Sequence, residues 1–137
     1  MNTRNVFLAL ALAMLAALGA CKSMKERESD EQVLARYMDN AGPPIDRFSY
    51  LGRFDSWRAL SRNKVAIWTG INEVYLLTLD TPCNNLQFTS SIGLTNSTGT
   101  VTRGFDSVLI GNDERCRINE IRKIDYKKVR EIERAGG

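Results

Sequence analysis

Val74-Tyr75-Leu76-Leu77-Thr78-Leu79 is apolar at every position except Thr78. Successive side chains of a strand point to opposite faces, so V-Y-L-L-T-L is apolar on both. Such a run belongs between two layers, and it reads as the centre of a sheet. The stretches on either side share its period of two. Val65 to Thr69 places Val65 and Ile67 on one face, Ala66 and Trp68 on the other. Trp57 to Leu60 and Arg47 to Arg53 precede it, with turn signals at Ser61-Arg62-Asn63-Lys64 and Gly70-Ile71-Asn72.

Downstream, Asp80-Thr81-Pro82 interrupts the pattern. Asn84 to Leu94 is ambiguous, with Leu86, Phe88, Ile92 and Leu94 available to plug an open barrel end. Thr95 to Gly99 is a polar loop, and its Asn-Ser-Thr sequon counts as chance if the chain is bacterial. Thr100 to Arg103, Phe105 to Ile110 and Arg115 to Ile118 read as further strands. Ile118, Ile121 and Ile124 are spaced by three, which predicts a bulge or bend there.

Helices are expected only at the ends. Ser29 with Gln32 three residues on is a capping-box pattern, and Gly42 with Pro43-Pro44 stops the helix it opens. Tyr126 to Arg134 reads as a short terminal helix. The expected class is α+β, mainly antiparallel β: a small curved sheet or barrel of about six to seven short strands. A half-barrel packed on the N-terminal helix fits equally.

The whole chain has 137 residues, which suits one domain. It is 43% hydrophobic and 26% charged, so wholesale disorder and a multispan membrane protein are excluded. It contains no histidine, which removes histidine acid–base chemistry and histidine-ligated metal. Nineteen Lys and Arg face sixteen Asp and Glu, a net charge of +3. That is too mild for a nucleic-acid partner. The basic residues near the C-terminus, among them Arg115, Arg117 and Arg122, alternate with acids such as Glu114 and Glu120. This reads as a solvated mixed-charge face, the sharper alternative being contact with anionic lipid headgroups or lipopolysaccharide.

The first twenty residues read as an address. Arg4 supplies positive charge, Val6 to Leu18 is uncharged, and Leu18-Gly19-Ala20-Cys21 has the order of a bacterial lipobox. The apolar run is short for a bilayer span, which needs about 20 residues. The expected division is a lipoprotein signal peptide at 1–20, a tether at 21–28 and a single β-rich domain at 29–137. Cys21 is the expected lipidation site, since its thiol can carry a diacylglyceryl thioether and its freed amino group a further acyl chain. By similarity to enteric lipoproteins, Lys22 stands where an aspartate would retain the protein at the inner membrane. The resulting expectation is an outer-membrane lipoprotein facing the periplasm.

Cys83 and Cys116 are the two remaining cysteines. In an oxidising compartment an even pair reads as a disulfide. A redox pair is usually spaced C-x-x-C, and a metal site needs more ligands than two thiols. No cofactor or metal is expected. Asp55, Asp80 and Asp106 are candidates for a carboxylate pair, but their spacing gives no evidence that any two converge, and a turn or strand-end role is expected for each; Asp106 is expected to pair with Arg103. Tyr50, Trp57, Trp68 and Tyr75 are candidates to line a pocket, although aromatics at strand spacing usually serve a core. No catalytic motif is present. The reading is a non-enzymatic envelope protein that binds a partner protein or envelope component. The alternatives are a carrier or sensor of a small apolar ligand, which requires a large apolar cavity, and an enzyme with converging buried carboxylates.

Between Tyr50 and Ile124 a wider pattern appears. Its marks are Trp57-Arg58-Ala59-Leu60, Val74 to Leu79 leading to Cys83, Ile92-Gly93-Leu94, Arg103-Gly104-Phe105-Asp106-Ser107-Val108 and Cys116-Arg117-Ile118. This resembles a family of small proteobacterial exported proteins described as domain of unknown function 6491. The resemblance implies an exported domain with a cysteine pair and no known activity.

Overall fold

A computed structural model describes residues 28–136. The expected signal peptide and nearly all of the expected tether, Cys21 included, lie outside the described residues. The described chain begins with α1 (Asp30–Asp39) and ends with α2 (Tyr126–Ala135). Nine strands lie between: β1 (Ala41–Ile45), β2 (Arg47–Ser49), β3 (Ser56–Ser61), β4 (Lys64–Gly70), β5 (Glu73–Leu79), β6 (Ile92–Leu94), β7 (Thr100–Thr102), β8 (Ser107–Ile110) and β9 (Glu114–Ile124). All pairings are antiparallel. The main sheet runs β3-β4-β5-β9-β8-β6, with β1 added to β9, and β2 pairs with β7 in a separate ribbon. The architecture is the expected α+β class in its open form, a curved half-barrel flanked by two helices.

Val74 to Leu79 falls in β5, which lies between β4 and β9. Tyr75, Leu77 and Leu79 enter the larger core with Val65 and Ile67 of β4, Val108 of β8 and Ile118 and Ile121 of β9. Phe48 and Val101, from the β2–β7 ribbon, close that core. Val74 and Leu76 turn the other way and meet Leu60, Ala66 and Ile124 beneath Val33 and Tyr37 of α1 and Val129 of α2. One strand thus serves two cores, as its lack of polar positions requires.

The isoleucine spacing has the anticipated cause. Leu79 pairs with Ile118 and Thr78 with Glu120, which leaves Asn119 as an extra residue. With that bulge, Ile118 and Ile121 face the same core. Ile124 follows at a spacing of three without a bulge and faces the helices. Strand β9 also exchanges neighbours along its other edge. Its first residues pair with β8 and its last with β1. In the gap, Gly104 N–H donates to Ile118 O at 2.6 Å and Ile118 N–H to Asp106 O at 2.9 Å.

Several boundaries differ from expectation. The first helix ends earlier, at Asp39 with Asn40 as its cap, and Pro43-Pro44 lies inside β1, which pairs Ala41 with Ile124 and Ile45 with Ile121. Proline is tolerated on an edge strand, where its missing N–H costs no ladder bond. The strand expected over Arg47–Arg53 stops at Ser49, and Gly52 then turns the chain at φ +85°. The strand expected from Phe105 starts at Ser107, because Gly104 at φ +74° makes a turn that leaves Phe105 exposed. In the ambiguous stretch, Leu86 and Leu94 enter the larger core and Ile92 packs against it, but Phe88 is 83% exposed. Ile92–Leu94 is a strand paired with β8.

The capping box is formed in full. Gln32 N–H donates to Ser29 Oγ at 3.3 Å, and Ser29 N–H donates to Gln32 Oε1 at 3.0 Å. Ser29→Ala is therefore expected to cost about 1 kcal/mol, read as a small drop in the thermal midpoint. An unchanged midpoint would show that tertiary packing alone holds the start of α1.

Candidate functional site

Cys83 and Cys116 are joined in a disulfide with Cα atoms 5.9 Å apart, 33 residues apart in sequence. Both residues are buried. The bond fastens the segment after β5 to β9. Beside it, the Glu114 carboxylate accepts from Asn84 N–H at 2.7 Å and Asn85 N–H at 3.0 Å. Glu114 and Cys116 share a face of β9, so one strand holds the loop covalently and through charge-assisted hydrogen bonds. Ligand atoms of Cys83, Glu114 and Cys116 lie within 4.8 Å of one another. With both sulfurs committed to the disulfide no thiolate is available as a ligand, and the carboxylate is engaged by backbone donors. The cluster therefore serves as a staple.

Asp106 anchors a second cluster. It is 2% exposed. Its Oδ1 accepts from Thr95 Oγ1 at 2.8 Å and its Oδ2 from Thr102 N–H at 2.8 Å. Thr95 Oγ1 in turn accepts from Ser107 N–H at 2.8 Å. One carboxylate thereby ties the loop after β6, the end of β7 and the start of β8. The expected Arg103 partnership is corrected: Arg103 Nε binds Asp46 Oδ1 at 2.8 Å instead. The positive φ of Gly104 reverses the chain between them, sending Asp106 inward while Arg103 stays outside. Asp55 and Asp80 are exposed, and no hydrogen bond links either to Asp106. The three carboxylates do not converge.

The candidate pocket aromatics are distributed over both cores. Tyr75 stacks on Phe48 with centroids 4.3 Å apart, and Tyr50 is buried near Phe54. Trp57 packs against the larger core. Trp68 meets Tyr37 and Tyr126 edge-on under the helices, at 6.2 and 5.4 Å. These four side chains fill space. Two hollows among the described residues are open surface grooves. One of about 530 Å³ lies between the end of α1 and the start of α2, lined by Asp39, Asn40, Lys123 and Tyr126. Another of about 500 Å³ lies beside the disulfide loop, lined by Phe88, Ile110 and Glu114.

Burial, with the neighbouring Glu73, pushes Tyr75 up to about 12, and burial with the Glu133 charge does the same for Tyr37. Unfolded tyrosine ionises near 10. A raised folded value means full stability below pH 10 and loss as the pH rises towards 12. The thermal midpoint is expected to fall over that window, less steeply in Tyr75→Phe. A pH-independent midpoint between 10 and 12 would contradict this. Elsewhere, the Arg122 guanidinium holds the Glu120 carboxyl below its usual range through a bidentate contact at 2.7 and 3.3 Å.

Neither the Glu114 staple nor the Thr95–Asp106 contact has a short-range signature. Both depend on which strands become neighbours. No helix among the described residues is long and apolar enough to cross a membrane. No curated protein and no solved structure matches the chain. The family model described as "Family of unknown function (DUF6491)" matches residues 4–136, nearly the full length, with the cysteine pair and the Phe105-Asp106-Ser107-Val108 segment inside it, and the chain belongs to that family.

Proposed function

We propose that this protein is a lipid-anchored component of the bacterial cell envelope and that its domain is a non-catalytic binding module. The observation that carries the reading is Leu18-Gly19-Ala20-Cys21 directly after the uncharged run Val6 to Leu18. An amide-linked chain and a diacylglyceryl group on Cys21 would anchor durably, since each buried methylene contributes about 0.8 kcal/mol. The disulfide supports an oxidising compartment. Lys22 supports passage to the outer membrane, with the domain facing the periplasm.

The packing supports a binding module over a carrier. Tyr75, Leu77, Leu79 and Leu86 fill the concave side where an apolar ligand would sit. The open grooves are polar-rimmed and lie outside that core. Asp106, the buried carboxylate, is saturated by structural donors, which supports a non-catalytic role.

Cross-linking in intact cells followed by mass spectrometry tests the module. A single abundant envelope partner, lost when surface residues at the mapped contact are changed, is the expected result. Failure to capture any specific partner with several cross-linkers, together with a small apolar molecule copurifying with the domain, would overturn it in favour of the carrier.

A further inference from the structure

Folding separates charges that the sequence interleaves. In Glu114-Arg115-Cys116-Arg117, alternation along β9 sends Glu114 and Cys116 to the disulfide side and both arginines to the opposite face. Both arginines are exposed. No carboxylate lies within ion-pair distance of either guanidinium among the described residues. Residues two apart on a strand stand about 7 Å apart, so the two charges form a short row. Arg115 is paired in register with Leu109 of β8, itself partly exposed. Beyond the bulge the same face carries Arg122 and Glu120, which satisfy each other, and Lys64, which donates to Thr78.

The helices leave this area open. Their buried residues pack with Leu60, Ala66, Val74, Leu76 and Ile124, from β3, β4, β5 and the end of β9, and with none from β6 or β8. The result is a sheet face with four cations, an apolar side chain and two carboxylates: Glu120, already neutralised by Arg122, and the exposed Asp80, whose N–H donates to Arg117 O at 2.9 Å and which forms no ion pair among the described residues.

We propose that this face of β8 and β9 lies against the anionic phospholipid headgroups of the membrane that carries the anchor. The proposal rests on the lipid-anchor reading above. Seven residue steps separate Cys21 from Glu28, the first described residue, a reach of about 25 Å. That is less than the diameter, about 34 Å, of a compact domain with a radius of gyration of roughly 13 Å, so the domain cannot leave the interface. A tethered surface acts as a high local concentration of headgroups. Each cation near an anionic surface contributes about a fivefold gain in occupancy. Arg115 and Arg117 together then hold the face down by more than tenfold over a neutral face.

The test uses the mature lipidated protein, reconstituted into vesicles of phosphatidylcholine alone or mixed with phosphatidylglycerol. A fluorophore on Leu109→Cys reports this face, and one on Ser49→Cys reports the distant β2–β7 ribbon. The readout is quenching by a nitroxide on the lipid headgroup. With phosphatidylglycerol present, quenching at 109 is expected to exceed that at 49 several-fold. It should fall to the level of 49 in Arg115→Glu/Arg117→Glu and at high salt, while flotation with the vesicles is unchanged. Equal quenching at the two sites, or quenching at 109 indifferent to the double substitution, would overturn the proposal and leave the face to an acidic protein. Failure of the wild-type protein to float with either vesicle would overturn the anchor reading instead.

Discussion

Cys83→Ala/Cys116→Ala is expected to lose about 3–4 kcal/mol of folding stability, because the bridge closes a loop of about 34 residues in the unfolded chain. A domain of this size has only about 5–15 kcal/mol in total. The thermal midpoint should fall by roughly 10–20 °C. The folded state should nevertheless persist at room temperature. Glu114 still accepts from Asn84 and Asn85, and Leu86 remains buried, so the loop keeps two native attachments. Adding Glu114→Gln should then cost more in the cysteine-free protein than in the oxidised one, since the staple is the last polar hold on the loop. A thermal melt of the four proteins checks this. A midpoint unchanged by removal of the bridge would mean that Glu114 and the burial of Leu86 hold the loop without it.

Asp106→Ala is expected to cost about 3 kcal/mol, from the loss of two hydrogen bonds to a charged acceptor at a buried site. Thr102 N–H loses its side-chain acceptor, and Thr95 Oγ1 keeps Ser107 N–H but has nowhere to donate. Asp106→Asn keeps the shape. Its carbonyl can accept from Thr102 N–H while its amide donates to Thr95 Oγ1, whose own hydroxyl proton then lacks a partner. About half the loss is expected for Asn. Denaturant unfolding of the three proteins measures both steps. If Ala and Asn cost the same, the charge rather than the hydrogen-bond pattern holds the knot. If Ala costs under about 0.5 kcal/mol, the cluster is an ordinary surface contact.

How far each feature could be read depended on the range of the forces behind it. The central strand was legible because V-Y-L-L-T-L leaves no polar face to turn outward, and β5 does lie between two cores. The bulge at Asn119 was legible because three-residue spacing cannot stay on one face of a regular strand. The capping box is local and was read directly. Strand β1 has no local signature, because Pro43-Pro44 signals a helix stop and the partners that make it a strand, Ile121 and Ile124, are more than 75 residues distant. The extra strand residues assigned around Leu51 and Phe105 ignored the freedom of Gly52 and Gly104 to reverse the chain.

Within the candidate site, the cysteine pair was legible from an even count after Cys21 and the oxidising compartment that the lipobox pattern led one to expect. The Arg103–Asp106 pairing failed for want of the intervening turn. Glu114, Thr95 and the separation of Arg115 and Arg117 from the neighbouring acids are products of strand register. An alternating string of charges reads as a mixed surface until the pleat sorts it: alternation puts Arg115 and Arg117 opposite Cys116, and the bulge at Asn119 then brings Glu120 onto their face.

The most direct test of the lipid-anchored, disulfide-stapled account is the intact mass of the mature protein taken from membranes without reductant. The expected mass is the chain from Cys21 onward, plus a diacylglyceryl group and an amide-linked acyl chain, minus two hydrogens for the bond between Cys83 and Cys116. A mass beginning at Met1, or at Cys21 without lipid, would contradict the anchor. A lipidated mass retaining both hydrogens would contradict the staple.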